Sequence, residues 1–324
     1  MKKILLILLA LLTLPLFAAC GEQKAQDLTK ITVVLDWVPN INHSGLYVAE
    51  AQGYFAEQGL AVDIVQPGDN YALQLVAAGQ AEFGFSYQEE VTFARDQHIP
   101  VMSVAAVIQH NTSCFAAPAA KQVKSVADFA GKKYGGWGGI VEEALLSYVA
   151  ESENFAAPVQ IINIGSSDFF AATESNIDFS WIYYGVTGIE AELRGLQLDT
   201  IYIRDIDPAF DYYTPVLVAA EDWLADNGDM AKKFLAAVSQ GYQYADSHPE
   251  QAAAILLAAA PELDAELILA GQSWLAGQYQ AEAAYWGEQQ TAVWQGFGDW
   301  LYQRGLLANP WDADAAFTNE FLPQ

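Results

Sequence analysis

Short runs rich in β-branched residues alternate with helical stretches from Lys30 onward, and this alternation limits the possible fold more than any other feature of the chain. The first runs are ITVVLD, AVDIVQP, AEFGFSY and IPVMSVAAVIQ, and the stretches between them are GLYVAEAQGYFAEQG, NYALQLVAAGQ and QEEVTFARDQ. Such alternation indicates βαβ units and a mostly parallel sheet. Ligands of such sheets bind outside the carboxyl ends of the strands. The side chains that follow each strand are therefore the first candidates for a site.

A second α/β series follows a change of pattern near Asn111. CFAAP is predicted to be a crossing strand, GGWGG precedes a helix predicted from Ile140 to Glu151, and IINIG, IDFSWIYYG and LDTIYIRD continue the alternation. The segment DYYTPVLVAAEDWL is predicted to be the return crossing. From about Asp222 onward, runs such as PEQAAAILLAAA indicate amphipathic packing helices. We expect the tryptophans of this region to pack in the core or at interfaces, namely Trp274, Trp286, Trp294 and Trp300.

The chain exceeds the usual size of one compact lobe, so the two series predict two lobes. We assign residues 30–109 to the first lobe, residues 110–211 to the second, and residues 212–324 to a return to the first lobe with C-terminal helices. The predicted class is α/β, with two crossover strands that act as hinges near Gln109 and Asp211.

The amino terminus, MKKILLILLALLTLPLFAAC, has the charged, apolar and small-residue order of a secretion signal. We predict a signal peptide over residues 1–19, because the apolar run is too short to cross a bilayer comfortably. Cys20 before Gly21 resembles the lipobox of bacterial lipoproteins, although Phe17 stands where Leu is usual. A lipidated Cys20 would hold the protein outside the cytoplasm on a membrane anchor, with residues 20–29 as a polar tether. A cleaved or buried Cys20 is the alternative.

Charge and composition exclude several classes of function. The formal charge of −26 becomes −28 when Lys2 and Lys3 leave with the signal. Such a field repels phosphate backbones, which excludes nucleic acid as a partner, and it disfavours strongly anionic small ligands. Cys114 is then the cysteine that remains besides Cys20, and its apolar neighbours favour a buried residue over a reactive thiol. Four scattered His offer no metal-binding spacing, so we expect no metal site.

Motifs along nearly the whole mature chain carry a family resemblance. They are DWVPNINHSGLYVAEAQGYFAEQGL, FGFSYQEEV, AAVIQHNTS, KYGGWGG, DFSWIYYGVTGIEAELRG, RDIDPAFDYYTPVLV and AFTNEFLP. Their combination resembles the ThiY-type proteins, which bind pyrimidine precursors of thiamine for uptake. The resemblance implies the two-lobe, type II periplasmic-binding-protein fold and a solute-binding function without catalysis or cofactor. It also implies a hydroxymethylpyrimidine or formylaminopyrimidine ligand and delivery to the membrane subunits of an ABC importer by a monomer.

Two alternatives stay open beside this resemblance. The wider superfamily also includes binding proteins for sulfonates, nitrate and other solutes. A flavin or another aromatic ligand fits the same class of protein. A eukaryotic relative is an enzyme, the thiamine pyrimidine synthase, which uses its own active-site His with pyridoxal phosphate and iron and depends on a Cys-rich run in the second crossing. The corresponding place here reads FDYYTPVL, without Cys, which favours a binding protein over an enzyme.

A planar aminopyrimidine needs flat faces for stacking and hydrogen-bonding groups along its edge. Trp37 follows the first predicted strand directly and is predicted to stack on the ring. Asn40 and His43 lie in the next turn, Asn40 as an edge group and His43 as a hydrogen-bonding wall. For His43, a hydrogen bond within the turn is the alternative.

Tyr87 and Glu90, in SYQEE, follow the third predicted strand and are candidate contacts as well. A carboxylate accepts a hydrogen bond from the exocyclic amine and, when it holds a proton, also donates one to the adjacent ring nitrogen. We expect either Glu89 or Glu90 to face the cleft, and the sequence does not choose between them. Acids at this position are also common at the start of a helix.

The second lobe offers a glycine-rich turn, GGWGG, whose backbone amides precede a helix. No Lys follows in the order of a phosphate-binding loop, so we predict a polar contact for a neutral heterocycle. Asp168 could instead cap a helix, and Trp181 could instead belong to the core. The candidate contacts of this face are Trp137, Glu142, Asp168, Trp181, Tyr184 and Glu190.

Overall fold

The structure, a computed structural model, describes residues 28–68, 71–165 and 167–323. The predicted signal peptide, Cys20 and all but the last two residues of the predicted tether lie outside this part of the chain. Within it, no helix has both the length and the hydropathy that crossing a bilayer requires.

Strands of the described residues form two five-stranded sheets, one in each lobe. The first sheet has the order β2-β1-β3-β10-β4 and contains β1 (Thr29–Val34), β2 (Leu60–Val65), β3 (Phe83–Ser86), β4 (Val101–Ala106) and β10 (Val216–Ala220). The second has the order β7-β6-β8-β5-β9 and contains β5 (Ser113–Pro118), β6 (Lys133–Gly136), β7 (Gln160–Asn163), β8 (Phe179–Tyr183) and β9 (Leu198–Tyr202). The two orders match position by position, so β1 corresponds to β6 and β3 corresponds to β8.

Each sheet is mostly parallel, as predicted, because four of its five strands point in the same direction and one, β10 or β5, runs against them. β1 pairs in parallel with β2 and β3, and β6 pairs in parallel with β7 and β8. β10 runs antiparallel to β3 and β4, and β5 runs antiparallel to β8 and β9. The reason is connectivity: β5 and β10 are the strands by which the chain enters one lobe from the other, so they arrive in the opposite direction. The two predicted crossing segments are thus confirmed as strands.

Helices cover both sheets in the predicted alternation. The helix predicted from Ile140 to Glu151 is α5 (Ile140–Ser152). A π-helical turn, Tyr184–Gly188, follows β8. The remaining helices are α1 (Ser44–Ala51), α2 (Tyr54–Glu57), α3 (Ala72–Ala77), α4 (Gln88–Asp96), α6 (Phe169–Ser175), α7 (Ile189–Leu193), α8 (Glu221–Ser247), α9 (Pro249–Ala259), α10 (Ala265–Leu275) and α11 (Thr291–Gln303).

The C-terminal helices complete the cores of the two lobes. α8 lies against α1 at two glycines, since a Cβ added to Gly241 would lie 1.9 Å from the Gly45 carbonyl oxygen. Trp286 and Trp294 are fully buried and Trp300 nearly so, which confirms their predicted place in the core. In α11, Trp294 packs in the core of the first lobe and Trp300 in that of the second, so this helix supports both lobes.

Candidate functional site

The carboxyl ends of β1 and β8 meet where the two lobes touch. Ile41, after β1, approaches Gly185, after β8: a Cβ added to Gly185 would lie 3.2 Å from Ile41 Cδ1. Trp274 of α10 is half-buried and lies against the same turn, with its ring centroid 5.2 Å from that of Tyr184. We call this edge the interlobe cleft and define it by the segments that follow β1, β3, β6 and β8, which are residues 36–43, 86–90, 137–142 and 184–190.

Asp36 is the centre of a buried hydrogen-bond network on the first lobe. His43 Nε2 lies 2.6 Å from Asp36 Oδ1, and the Tyr87 hydroxyl donates to Asp36 Oδ2 at 2.8 Å. Burial opposes ionisation of Asp36, but the neighbouring His43 and the hydrogen bonds from His43 and Tyr87 outweigh it and lower the pKa of Asp36. Asp36 was not among the predicted site residues, although its position at the end of the first predicted strand was the signal that could have identified it.

His43 lies behind the cleft surface. Its side chain is fully buried, and its Nδ1 accepts a hydrogen bond from the Asn40 backbone N–H at 3.2 Å. Because Nδ1 is an acceptor, Nε2 carries the proton that is donated to Asp36. Both ring nitrogens are thus engaged within the protein, which corresponds to the alternative of a hydrogen bond inside the turn. His43 therefore holds Asp36 and the turn in place.

Trp37 and Asn40 occupy the surface of the same segment. The Trp37 side chain is 59% exposed, so a face of its indole is available for stacking. Asn40 Oδ1 accepts from the Asn42 backbone N–H at 2.9 Å, and Asn40 Nδ2 donates to the Val38 carbonyl at 3.0 Å. Asn40 shapes the turn that presents Trp37.

Glu90 lies beside the Asp36 network at the start of α4. Its Oε2 accepts a hydrogen bond from the Ser86 hydroxyl at 2.6 Å. Burial and the nearby Asp36 raise the pKa of Glu90, although the Ser86 bond acts in the other direction. The pKa of Tyr87 is likewise raised, chiefly by burial and then by Asp36. Two acids and a phenol are thus buried close together on this side of the cleft.

Glu142 holds the glycine-rich turn of the second lobe. It is 3% exposed and accepts hydrogen bonds from the Tyr134 hydroxyl at 2.5 Å, from the Gly139 backbone N–H at 2.7 Å and from the Trp137 backbone N–H at 3.4 Å. Burial, followed by the charge of Glu142, raises the pKa of Tyr134 well above its usual value. Glu142 therefore fixes the conformation of the turn through these buried hydrogen bonds.

Trp137 lies in this turn directly after β6, the strand that corresponds to β1, and Trp37 follows β1 in the first lobe. It is 48% exposed, and its ring centroid lies 5.7 Å from that of Trp181. Trp181 is 6% exposed and belongs to the core of the second lobe, as the alternative for this residue expected. Trp181 Nε1 is buried and has no hydrogen-bond partner among the described residues. The two lobes thus each present one exposed indole at the cleft.

The remaining candidates of the second lobe have local partners. Asp168 is exposed and caps α6 by accepting from the Ala171 backbone N–H at 2.9 Å. Glu190 forms an ion pair with Arg194 one turn further along. The Tyr184 hydroxyl donates to Glu192 at 2.5 Å, and its ring lies at the lobe contact. Of these three, Tyr184 is the one that touches the first lobe.

Neither a metal-ligand cluster nor an activated thiol is found among the described residues. No cluster of three or more His, Cys, Asp or Glu is disposed there to hold a metal ion. Cys114 is buried, and its burial raises the pKa of the thiol to about 12. A thiolate at this position is therefore disfavoured at neutral pH.

Comparison with known proteins relates this geometry to one family. Residues 40–252, more than half of the chain, match the family described as NMT1/THI5 like. The chain belongs to the NMT1/THI5-like family. It is 29% identical to the formylaminopyrimidine-binding protein of Halalkalibacterium halodurans, with 98% of each chain covered. It is 26% identical to the riboflavin-binding protein RibY of Chloroflexus aurantiacus, with 94% of this chain and 90% of the relative covered.

Another relative has the name of an enzyme. It is the 4-amino-5-hydroxymethyl-2-methylpyrimidine phosphate synthase THI11 of Saccharomyces cerevisiae, at 24% identity with 90% of this chain and 88% of the relative covered. Among solved structures, the periplasmic aliphatic sulphonate binding protein SsuA of Escherichia coli superposes with a TM-score of 0.68. The two share 18% identity, with 88% of this chain and 91% of SsuA covered. This NMT1/THI5-like chain therefore has the two-lobe periplasmic-binding-protein fold.

Proposed function

We propose that this protein captures a thiamine pyrimidine precursor, of the hydroxymethylpyrimidine or formylaminopyrimidine type, and delivers it to the membrane subunits of an ABC importer. The observation that carries the proposal is the pair of exposed indoles, Trp37 and Trp137, at equivalent strand ends of the two lobes. Closing the lobes on a flat ring would give each face of the ring an indole to stack on. Similarity over 98% of the chain to a formylaminopyrimidine-binding protein supports the choice of ring.

The electrostatics of the cleft support an amine-bearing, uncharged ligand. Asp36 and Glu90 lie on the first-lobe side, and the whole chain has a formal charge of −26. Such surroundings repel a sulfonate or phosphate and attract an exocyclic amine, which donates to carboxyl oxygens. The proposed ligand-binding residues are therefore the two indoles together with the acids and Tyr87.

The proposed location is outside the cytoplasm, on a lipid attached to Cys20. The support is the order of the amino-terminal sequence and the resemblance of its end to a lipobox. A lipid anchor would keep a monomeric binding protein near its importer while its lobes open and close. Incorporation of labelled palmitate into the wild-type protein, and its loss in Cys20→Ser, would test this part of the proposal.

A pyrimidine synthase is the second candidate function, because relatives with that name cover most of this chain. The second crossing reads FDYYTPVL and holds no Cys, in contrast to the Cys-rich run on which the enzyme depends. His43, the one His of the cleft segments, has both ring nitrogens engaged within the protein. Unmodified ligand recovered from denatured protein after incubation would favour binding, whereas a modified product would favour the enzyme.

Calorimetry with a panel of ligands tests the proposal most directly. The panel is hydroxymethylpyrimidine, formylaminopyrimidine, riboflavin, thiamine and taurine. We expect one of the two aminopyrimidines to bind tightest and taurine not to bind. Equal or tighter binding of taurine would overturn the proposed ligand class, and tightest binding of riboflavin would reassign the protein to flavin capture.

Trp37→Ala tests the stacking role within the same assay. We expect its affinity for the best aminopyrimidine to fall roughly tenfold or more, because stacking of a base on an aromatic ring contributes about 1–3 kcal/mol. The fold should be unaffected, since Trp37 is 59% exposed. The matched control is Tyr302→Ala, which removes an exposed aromatic side chain of α11 that is not part of the cleft segments. Equal affinities of the two variants would contradict the stacking role.

A further inference from the structure

Glu89 is a titratable group of the cleft that none of the roles described above uses. It lies on the first turn of α4, and its side chain is half-buried. Its Oε2 atom is buried and has no hydrogen-bond partner among the described residues. A carboxyl oxygen that is withdrawn from water without a partner is costly, and the cost is greatest when the group is charged.

The surroundings of Glu89 contain acids and phenols. Glu90 is its neighbour on α4, and burial followed by the charge of Glu89 raises the pKa of Tyr183, at the end of β8 in the second lobe, and of Tyr212, in the return crossing. No Lys, Arg or His is among the groups that act on it in the described part of the chain. Burial, with a smaller contribution from Glu90, raises the pKa of Glu89 to about 8, while its own backbone N–H acts in the opposite direction. The neutral acid is therefore the main form at pH 7.

The other acids of the cleft have fewer free carboxyl oxygens with which to bind a ligand. Both oxygens of Asp36 are engaged, one with His43 and the other with Tyr87. Glu90 Oε2 accepts from the Ser86 hydroxyl. Glu89 is thus the acid of this cluster that has a buried carboxyl oxygen, Oε2, without a partner among the described residues, and it is close enough to Tyr183 of the second lobe for their charges to interact.

A neutral carboxyl group is chemically suited to one edge of an aminopyrimidine. Its O–H donates to a ring nitrogen while its C=O accepts from the adjacent amine, so two parallel hydrogen bonds form. A carboxylate could form just one of these bonds, because it has no proton to donate. A ring without the amine beside the ring nitrogen would lose the second bond.

We propose that Glu89, in its neutral form, binds the edge formed by a ring nitrogen and its neighbouring amine, and so selects aminopyrimidines from other flat heterocycles. This inference rests on the proposed function and names the residue that determines its specificity. It also decides which of the two neighbouring acids binds the ligand. Glu90 is hydrogen-bonded to Ser86, and Glu89 binds the edge of the ring.

The test measures the affinity of the full-length protein for hydroxymethylpyrimidine between pH 6 and 9 in the wild type and in Glu89→Gln. The wild-type affinity should be constant in acid and fall about tenfold per pH unit above about 8, because the carboxylate must regain a proton in order to bind. Gln carries a donor and an acceptor that do not titrate, so the affinity of Glu89→Gln should stay within a few fold of the wild-type value at pH 7 and show no such fall. Glu143→Gln, which changes an exposed acid of α5, should keep the wild-type profile.

Calorimetry at pH 8.5 in buffers of different ionisation enthalpy gives a second reading that does not depend on the variant folding well. The wild type should take up a proton on binding, and Glu89→Gln should not. The analogue that lacks the amine should bind the wild type at least tenfold more weakly than the parent ring, and Glu89→Ala should discriminate less. A wild-type affinity that is flat from pH 6 to 9, or the same fall in Glu89→Gln, would overturn the role of Glu89 while leaving pyrimidine binding intact. If no pyrimidine of the panel binds at any pH, the proposed function itself is wrong.

Discussion

Glu142 lies on the first turn of α5, and its buried carboxylate accepts hydrogen bonds from Tyr134, Trp137 and Gly139. Glu142→Ala would leave the buried Tyr134 hydroxyl and the N–H groups of the turn without their acceptor. We expect the free energy of unfolding to fall by about 2–3 kcal/mol, because unsatisfied buried donors are costly. Denaturant unfolding followed by tryptophan fluorescence measures this loss, and the affinity for the ligand should fall with it as Trp137 loses its fixed position.

The adjacent Glu143 provides the control for this substitution. It lies on the same turn of α5 but is exposed. Glu143→Ala should change the free energy of unfolding by less than about 0.5 kcal/mol, as surface substitutions usually do. If the two variants lose equal stability, the hydrogen bonds of Glu142 do not hold the turn.

The sequence predicted where the candidate residues lie in the fold, but it did not predict their hydrogen-bond partners. Trp37 and Tyr87 could be assigned to one edge because each follows a predicted strand, and the structure has them after β1 and β3. The bond from Tyr87 to Asp36 joins positions 51 residues apart and depends on β1 and β3 being neighbours. Alternation of strands and helices does not specify which strands are neighbours, so the network around Asp36 could not be read from the sequence.

At the scale of secondary-structure elements, the two lobes meet where α10 contacts the π-helical turn after β8. A Cβ added to Gly271 would lie 2.7 Å from the Gly185 carbonyl oxygen, which is closer than real Cβ contacts allow. In Gly271→Ala, the turn and α10 must therefore move apart. We expect the closed form to be disfavoured and the affinity for the best aminopyrimidine to fall roughly tenfold, which is about 1.4 kcal/mol. Calorimetry measures the affinity, and X-ray scattering should show a larger radius of gyration with ligand present.

Gly296→Ala is the matched control for this change. Gly296 also lies within a helix, α11, and a Cβ added there meets no atom within 4 Å. The affinity of this variant should equal that of the wild type, and its stability should rise slightly because Ala is the better helix former. A normal affinity in Gly271→Ala would mean that the lobe contact at Gly185 is not part of the closed form that binds ligand.

The sequence predicted the helices and strands better than it predicted which strands pair and in which direction. α5 begins at the predicted residue because glycines precede a regular apolar period, and that signal is local. The antiparallel entry of β5 and β10 depends on the path of the chain between lobes, which a local pattern does not contain. The π-helical turn at Tyr184–Gly188 likewise packs against α10, a contact between the lobes that a local pattern does not contain.

At the scale of the whole molecule, the two crossings are joined by charged side chains. His110 of the first crossing lies 2.6 Å from Asp211 of the second through Nδ1, and 3.0 Å from Glu282, in the segment before α11, through Nε2. The Asn111 backbone N–H donates to the other Asp211 oxygen at 2.9 Å. The bond to Asp211, opposed by burial and aided by Glu282, raises the pKa of His110 to about 9. A protonated His110 with two carboxylate partners thus spans the hinge.

Raising the pH should weaken this link between the crossings. Because the pKa of His110 is higher in the folded protein than in the unfolded chain, its contribution to stability is complete below about pH 6.5 and is lost as the pH rises through about 9. The His110 side chain is 38% exposed, so solvent screening should limit the loss to about 1 kcal/mol or less. Glu89, whose pKa is also raised, destabilises the folded protein in an overlapping range, so single variants must separate the two groups. Denaturant unfolding at pH 6, 7.5 and 9.5 should show a smaller decline in His110→Gln than in the wild type, and equal declines would mean that His110 does not stabilise the hinge.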